Sequence, residues 1–127
     1  MSIVLCRTDE ITDPGSRQFT WGTGLWPLEI FVVKKDGDVF GYVNRCPHAG
    51  HPLNWQRDRF LTKDQNLIIC NSHGARFQIT DGLCVSGPCP GSVLTKIRLN
   101  INKKHIIADK KELDTLLKQM QKHISSK

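Results

Sequence analysis

Apolar and polar residues alternate in short runs along most of the chain, and polar turn residues separate the runs. Alternation with a period of two is typical of strands whose two faces meet different surroundings. Asp36–Gly37 and Asp81–Gly82 interrupt two β-prone stretches, and Asp-Gly is a strong signal for a hairpin turn. Short strands at close spacing are typical of small barrels and sandwiches. The sequence therefore predicts an all-β fold, an antiparallel barrel or sandwich.

The last part of the chain changes to a helical period. Asp109, with Glu112 three residues later, matches a capping box at a helix N-terminus. Five apolar residues then fall on one face of a helix: Leu113, Leu116, Leu117, Met120 and Ile124. We predict a C-terminal α-helix over about 110–124 whose apolar face packs against the sheets.

The middle of the chain, about 44–91, has a different composition. It holds four of the six prolines, three of the five histidines and four of the five cysteines. Loops rich in turn-forming residues hold fixed backbone shapes, and functional residues concentrate on loops that a rigid scaffold carries. We predict a loop-rich subdomain at this place, within a single domain that spans 1–127.

Length and cysteine content limit the functional classes. A chain of 127 residues buries roughly two-thirds of its unfolded surface, so no metal is needed merely to hold the fold together. The N-terminus lacks the basic and apolar regions of a signal peptide, and no apolar run approaches the roughly 20 residues of a membrane helix. Five cysteines without a secretory signal indicate a reducing compartment and a metal or redox role. We expect a cytoplasmic protein without a membrane segment.

The net charge of +6 comes entirely from the C-terminal end. Residues 1–95 hold nine basic and nine acidic residues, whereas residues 96–127 hold nine basic and three acidic ones. The basic end has no interleaved aromatic residues of the kind that nucleic-acid interfaces use. We interpret it as a solvated surface and expect no nucleic-acid partner.

Cysteine and histidine occur together twice. CPHAG places Cys46 two residues before His48, and CNSHG places Cys70 three residues before His73. Two cysteines and two histidines can close a tetrahedral zinc site, although structural zinc sites usually pair like residues within each loop. One cysteine and one histidine from each loop instead suit a two-iron cluster, with both cysteines on one iron and both histidines on the other.

Three further residues of the middle segment bear on this site. Cys84 and Cys89 fit part of the spacing of a four-cysteine cluster, but no cysteine follows two residues later. We expect both to lie near the site as thiols or as a local disulfide, without binding metal. His51 lies three residues after the first motif histidine, and we expect it to be a loop residue rather than a ligand.

The two motifs resemble those of the Rieske family, in which C-x-H in one loop and C-x-x-H in another each have a glycine shortly after. The segment SGPCPG (86–91) resembles the family's proline loop, which covers the cluster. The resemblance implies one [2Fe-2S] cluster, with Cys46 and Cys70 on one iron and His48 and His73 on the other. It also implies the small Rieske-type antiparallel barrel with a cluster-binding subdomain.

Departures from two branches of that family point to a third. Rieske proteins of respiratory complexes join their loops by a disulfide, whereas the matching positions here are His51 and Ser72. They also place a serine and a tyrosine hydroxyl against the cluster, where this chain has Ala75 and Phe77. Rieske oxygenases need a large second domain with a mononuclear iron, for which this chain has no room. The resemblance is therefore to soluble, low-potential Rieske-type ferredoxins.

That resemblance implies a monomeric electron-transfer protein rather than a stand-alone catalyst. It would receive one electron from a reductase and pass it to an oxygenase or another acceptor enzyme. Two alternatives stay open. One is the Rieske-like small subunit of a larger reductase, such as NADH-dependent nitrite reductase, and the other is a zinc-binding interaction module.

Overall fold

The computed structural model describes residues 1–47, 52–72, 74–88 and 91–125, with side chains up to residue 121. This part of the chain forms ten strands, a short 3-10 turn at Thr8–Glu10 and one α-helix. The elements are β1 (Ser2–Arg7), β2 (Gly15–Trp21), β3 (Leu28–Lys35), β4 (Asp38–Val43), β5 (Leu67–Ile69), β6 (Arg76–Gln78), β7 (Cys84–Ser86), β8 (Lys96–Ile97), β9 (Leu99–Asn102), β10 (His105–Asp109) and α1 (Lys110–Ser125).

The strands form three antiparallel sheets. Their orders are β1-β10-β9, β2-β3-β4-β8 and β5-β6-β7. The predicted hairpin joins β3 to β4, with Lys35 opposite Asp38. The Asp13 carboxylate accepts hydrogen bonds from the backbone N–H groups of Asp36 and Gly37, both at 2.8 Å, and so fixes this turn. The prediction of an antiparallel, mostly β fold with a C-terminal helix is confirmed.

Strand β3 separates the two main regions of the core. Phe31 and Val33 face a cluster of buried residues that includes both motif cysteines, and we call this cluster the site core. Leu28 and Ile30 face the opposite side, where they pack with residues of β8, β10 and α1. Since successive strand residues point to opposite faces, one apolar run supplies both regions. The site core consists of Phe31, Val33, Tyr42, Cys46, Leu53, Phe60, Ile68, Cys70, Ala75, Phe77, Ile79, Cys84 and Leu94.

Helix α1 packs its apolar face as predicted. Leu113 is fully buried, and the other described apolar residues of its stripe cover the same region of the core. Trp21 Nε1 donates a hydrogen bond to Asp114 Oδ1 at 2.9 Å, and this bond, together with Lys110, lowers the pKa of Asp114. At the N-terminus, Asp109 Oδ1 accepts the Lys111 N–H at 3.1 Å, which satisfies one of the free donors of the first turn.

Residues of β5, β6 and β7, together with Leu53 and Phe60 from the irregular segment before β5, pack on the face of β3 that carries Phe31 and Val33. In the part of the chain that the structure describes, no helix is long and apolar enough to cross a membrane. The division into one domain with a subdomain over about 44–91 stays a prediction.

Candidate metal centre

The first motif cysteine lies just beyond the end of β4. Backbone hydrogen bonds hold the approach to it: Val43 N–H donates to Thr95 O and Asn44 N–H to Glu29 O, both at 2.8 Å. Cys46 is buried in the site core, whereas the next residue, Pro47, is exposed. The chain therefore turns from the interior to the surface within one residue of the cysteine.

The second motif cysteine follows β5 directly. Cys70 N–H donates to Ala75 O at 2.8 Å, and Gly74 N–H donates to Cys70 O at 2.9 Å, so a tight loop returns the chain into β6. Cys70 and Ala75 are fully buried, and Ser72 within the loop is exposed. Both motifs thus run from a buried cysteine towards solvent.

The structure brings the two cysteines together in one apolar environment. Cys46 and Cys70 belong to the same site core, and so does Leu53 from the first loop. This core includes a pair of stacked aromatic rings, Phe31 and Phe60, whose centroids lie 4.1 Å apart with an interplanar angle of 3°. Soft thiolates in such surroundings suit iron–sulfur clusters, zinc and Cu(I). The cysteine pair therefore fits an iron–sulfur cluster.

The predicted histidine ligands, His48 and His73, lie outside the described residues, as does His51. The assignment of the histidines to one iron and the cysteines to the other stays a prediction. Their sequence neighbours Pro47 and Ser72 are both exposed.

Gly87 of the predicted covering loop lies against the second cysteine loop. A Cβ atom added to Gly87 would be 2.6 Å from the Ala75 Cα and 3.0 Å from its backbone nitrogen. Residue 87 therefore packs directly on the backbone of the cysteine loop. Cys84 Sγ lies 3.3 Å from Ser86 O at the start of this segment, and Cys89 lies outside the described residues.

Side chains of the site core offer few polar groups to a cluster. Ala75 and Phe77, which occupy the positions of the hydroxyl residues named above, are both fully buried. The phenol of Tyr42 donates its hydrogen bond to Ile79 O at 2.6 Å, and burial raises its pKa to about 12. The Tyr42 hydroxyl is thus directed to the backbone rather than to the cysteines.

Other cysteines do not complete a metal site within the described part of the chain. Among residues 1–47, 52–72, 74–88 and 91–125, no three Cys, His, Asp or Glu side chains converge on a point that could hold a metal ion. Cys84 shares the site core with Cys46 and Cys70 but does not form such a triad with them. Cys6 lies in another part of the core, where burial raises the pKa of its thiol.

The motifs gave no indication of Asn44. Among the described residues it is the one buried residue with an amide or charged side chain, and 4% of its surface is exposed. Its side-chain oxygen accepts the Leu53 N–H at 2.8 Å. The only signal in the sequence is its place two residues before the first motif cysteine.

A family model described as the Rieske [2Fe-2S] domain matches residues 1–103. The match includes both cysteine loops and the covering loop, and ends before α1. A search of curated protein sequences finds no significant match.

Solved structures with the same fold have low sequence identity to this chain. The ferredoxin of carbazole 1,9a-dioxygenase from Nocardioides aromaticivorans IC177 is 18% identical with a TM-score of 0.66, and the match covers 85% of this chain and 96% of that one. The terminal oxygenase of carbazole 1,9a-dioxygenase from Novosphingobium sp. KA1 is also 18% identical, with a TM-score of 0.69, over 84% of this chain and 29% of that one. A structure titled as the complex of reduced oxygenase and oxidized ferredoxin in carbazole 1,9a-dioxygenase matches at 16% identity and a TM-score of 0.63, over 84% and 91% of the two chains.

Proposed function

Because the chain belongs to the Rieske [2Fe-2S] family, as the match over residues 1–103 shows, we propose that it is a soluble one-electron carrier between a reductase and an oxygenase or another acceptor enzyme. The family and the cofactor that the sequence predicted, one [2Fe-2S] cluster, are confirmed. When bound, such a cluster takes up and releases one electron. The observation that carries the proposal is the family match together with the shared burial of Cys46 and Cys70.

The ligands in this proposal are Cys46 and Cys70 for one iron and His48 and His73 for the other. Two features support it. The two cysteines lie in one apolar core, which excludes water from their side of the site. Both motif segments leave that core towards an exposed residue, Pro47 or Ser72, and the histidine is the next residue in the sequence.

Three matched structures support the choice of an electron carrier with an oxygenase as its acceptor. One is named as a ferredoxin and is matched over 96% of its length. The oxygenase is matched over 29% of its length, so this chain corresponds to one part of that larger protein. The third is titled as a complex of reduced oxygenase and oxidized ferredoxin, and electron-transfer interfaces are typically small. We extend this arrangement to the present chain as a monomer that docks through its cluster loops.

The proposal includes a location in the cytoplasm and a single domain over residues 1–127. A reducing compartment suits a chain with five cysteines in which two must remain thiolates to bind iron. Within this domain, residues of about 44–91 form the cluster-binding subdomain and the helix of about 110–124 closes the opposite side of the core.

The function is tested on the purified holoprotein. Reduction should produce the EPR signal of a Rieske centre, and a redox titration should show reversible uptake of one electron per chain. Capture of the tagged holoprotein from its native cells should then yield a reductase and an acceptor in substoichiometric amounts. A colourless protein that contains zinc would refute the proposal, and a stoichiometric large subunit would favour the reductase-subunit alternative.

The ligand set is tested by substitution. His48→Ala and His73→Ala should each abolish the visible and EPR spectrum of the Rieske centre, because each removes one ligand of the same iron. Cys84→Ala is the matched control, since Cys84 lies in the same core but outside the proposed ligand set. Retention of the spectrum in His73→Ala together with its loss in Cys84→Ala would overturn the assignment in favour of an all-cysteine site.

A further inference from the structure

A continuous series of hydrogen bonds joins the two cysteine loops. Asn44, two residues before Cys46, accepts the Leu53 N–H on its side-chain oxygen at 2.8 Å. The carbonyl oxygen of Leu53 accepts the N–H of Asn71 at 2.9 Å, and Asn71 is the residue after Cys70. The N–H of Leu53 is therefore bonded to the segment that carries Cys46, and its carbonyl oxygen is bonded to the segment that carries Cys70.

The Asn44 amide is itself fixed by a relay of side chains that reaches β2 and β3. Asn44 Nδ2 donates to Asn54 Oδ1 at 2.9 Å, and Asn54 Nδ2 donates to Gln18 Oε1 at 2.8 Å. Gln18 Nε2 then donates to Glu29 Oε1 at 3.0 Å. The backbone returns to the start, because Asn44 N–H donates to Glu29 O at 2.8 Å.

The two ends of this relay impose the same orientation on every amide. An ionised carboxylate can only accept, so Gln18 must present its NH₂ to Glu29 and its oxygen to Asn54. Asn54 must then present its oxygen to Asn44, which leaves the Asn44 oxygen directed at Leu53. A backbone N–H can only donate, so Leu53 requires the same orientation independently. Hydrogen bonds in such a chain polarise one another and strengthen the whole.

We propose that Asn44 is a positioning residue of the cluster site, which fixes the distance between the two cysteine loops through Leu53. The inference rests on the ligand set proposed above, since it assigns Cys46 and Cys70 to one iron. A metal site requires its ligands to be held within about 0.5 Å by the residues around them. The loops that carry these two cysteines are irregular. The Leu53 carbonyl bonds the second loop at Asn71, and Asn44 holds the Leu53 N–H in place on the side of the first loop.

The experiment uses the purified holoprotein and three variants. Asn44→Ala removes the bond to Leu53 and leaves that buried N–H without its partner. Asn54→Ala keeps the bond but removes the group that orients the Asn44 amide. Asn100→Ala is the matched control, because it makes the same chemical change at an exposed position of β9 in another sheet. The readouts are the EPR spectrum of the reduced protein and the rate at which a chelator bleaches the cluster.

We expect bleaching to be about tenfold faster in Asn44→Ala, which corresponds to about 1.4 kcal/mol, and about threefold faster in Asn54→Ala. The EPR lines of the remaining cluster should broaden or shift in the same order, because the cysteine positions are less well defined. The Asn100→Ala protein should match the wild type in both measurements.

A wild-type EPR spectrum and bleaching rate in Asn44→Ala would overturn the proposal. If Asn44→Ala does not fold, Asn54→Ala decides, and wild-type behaviour of that variant refutes the relay. Equal changes in Asn100→Ala would also refute it, since the effect would then be one of general stability. A wild-type protein without a Rieske signal is a different outcome, because it refutes the ligand set rather than the role of Asn44.

Discussion

Gly87 of the predicted covering loop can approach the second cysteine loop because it has no side chain. A Cβ at Gly87 would lie 2.6 Å from the Ala75 Cα and 3.0 Å from its backbone nitrogen, and its φ of +94° is one that side-chain-bearing residues rarely adopt. Gly87→Ala therefore adds a steric clash and a strained backbone at once. The atoms it meets belong to the backbone, which cannot rotate away.

Gly91→Ala separates these two effects. Gly91 has a similar φ of +87°, but a Cβ there would meet no atom within 4 Å. In both variants the free energy of unfolding should fall by about 1–2 kcal/mol, because an alanine must adopt the left-handed backbone conformation. Gly87→Ala should lose a further 1–3 kcal/mol, roughly the cost of overpacking a core. For a domain of this size, that difference corresponds to a Tm about 3–12 °C lower than in the control.

The second consequence concerns the cluster. If the clash lifts residue 87 from Ala75, water gains access to the cluster. Water stabilises the reduced cluster more than the oxidised one, because the reduced cluster is more negative. The reduction potential of Gly87→Ala should therefore rise by tens of mV. For one electron, about 59 mV corresponds to a tenfold change in the equilibrium constant for reduction. Thermal unfolding and protein-film voltammetry on both variants provide the test. Equal Tm and equal potential in Gly87→Ala and Gly91→Ala would refute the packing of this loop on Ala75.

Two further predictions concern the site core. Burial raises the pKa of the Tyr42 phenol to about 12, so the stability that its neutral form provides is complete below about pH 10 and is lost as pH rises through about 12. Because Tyr42 is the chain's single tyrosine, an absorbance titration reports it directly, and a midpoint near 10 would contradict this placement. Ala75→Ser combined with Phe77→Tyr should raise a potential that lies near the low end of the Rieske range of about −150 to +300 mV. We expect a rise of about 60 mV in voltammetry, and an unchanged potential with the cluster retained would contradict a role for these positions.

Local signals account for the parts of the fold that the sequence predicted. The turn at Asp36–Gly37 requires only two residues with the right backbone preference, and the structure adds the Asp13 carboxylate to a turn already specified. The helix was predictable for the same reason, since its apolar stripe is visible within one segment. The observed α1, Lys110–Ser125, begins directly after Asp109, the residue that the sequence indicates as the start of the helix.

The division of the strands into three sheets was not predictable in this way. The buried run Ile30 to Val33 indicates a strand covered on both faces, but not which residues cover each face. One face packs on the site core and the other on α1 and the sheet of β1, β9 and β10. These contacts join residues far apart in sequence, and no local pattern records them.

The same distinction applies inside the candidate site. The spacing of Cys46, His48, Cys70 and His73 indicates the chemistry because metal ligands must have particular side chains. The residues that position the loops need only form hydrogen bonds, and amides do this at many turns. Asn44 before the first motif could equally be a turn residue, and its partners Leu53 and Asn54 lie nine and ten residues away, with Gln18 thirty-six residues before Asn54. Ligands can therefore be predicted from a motif, whereas the residues that position them require a structure, and for this reason substitutions at Asn44 and Gly87 test more of the site than further substitutions of its ligands.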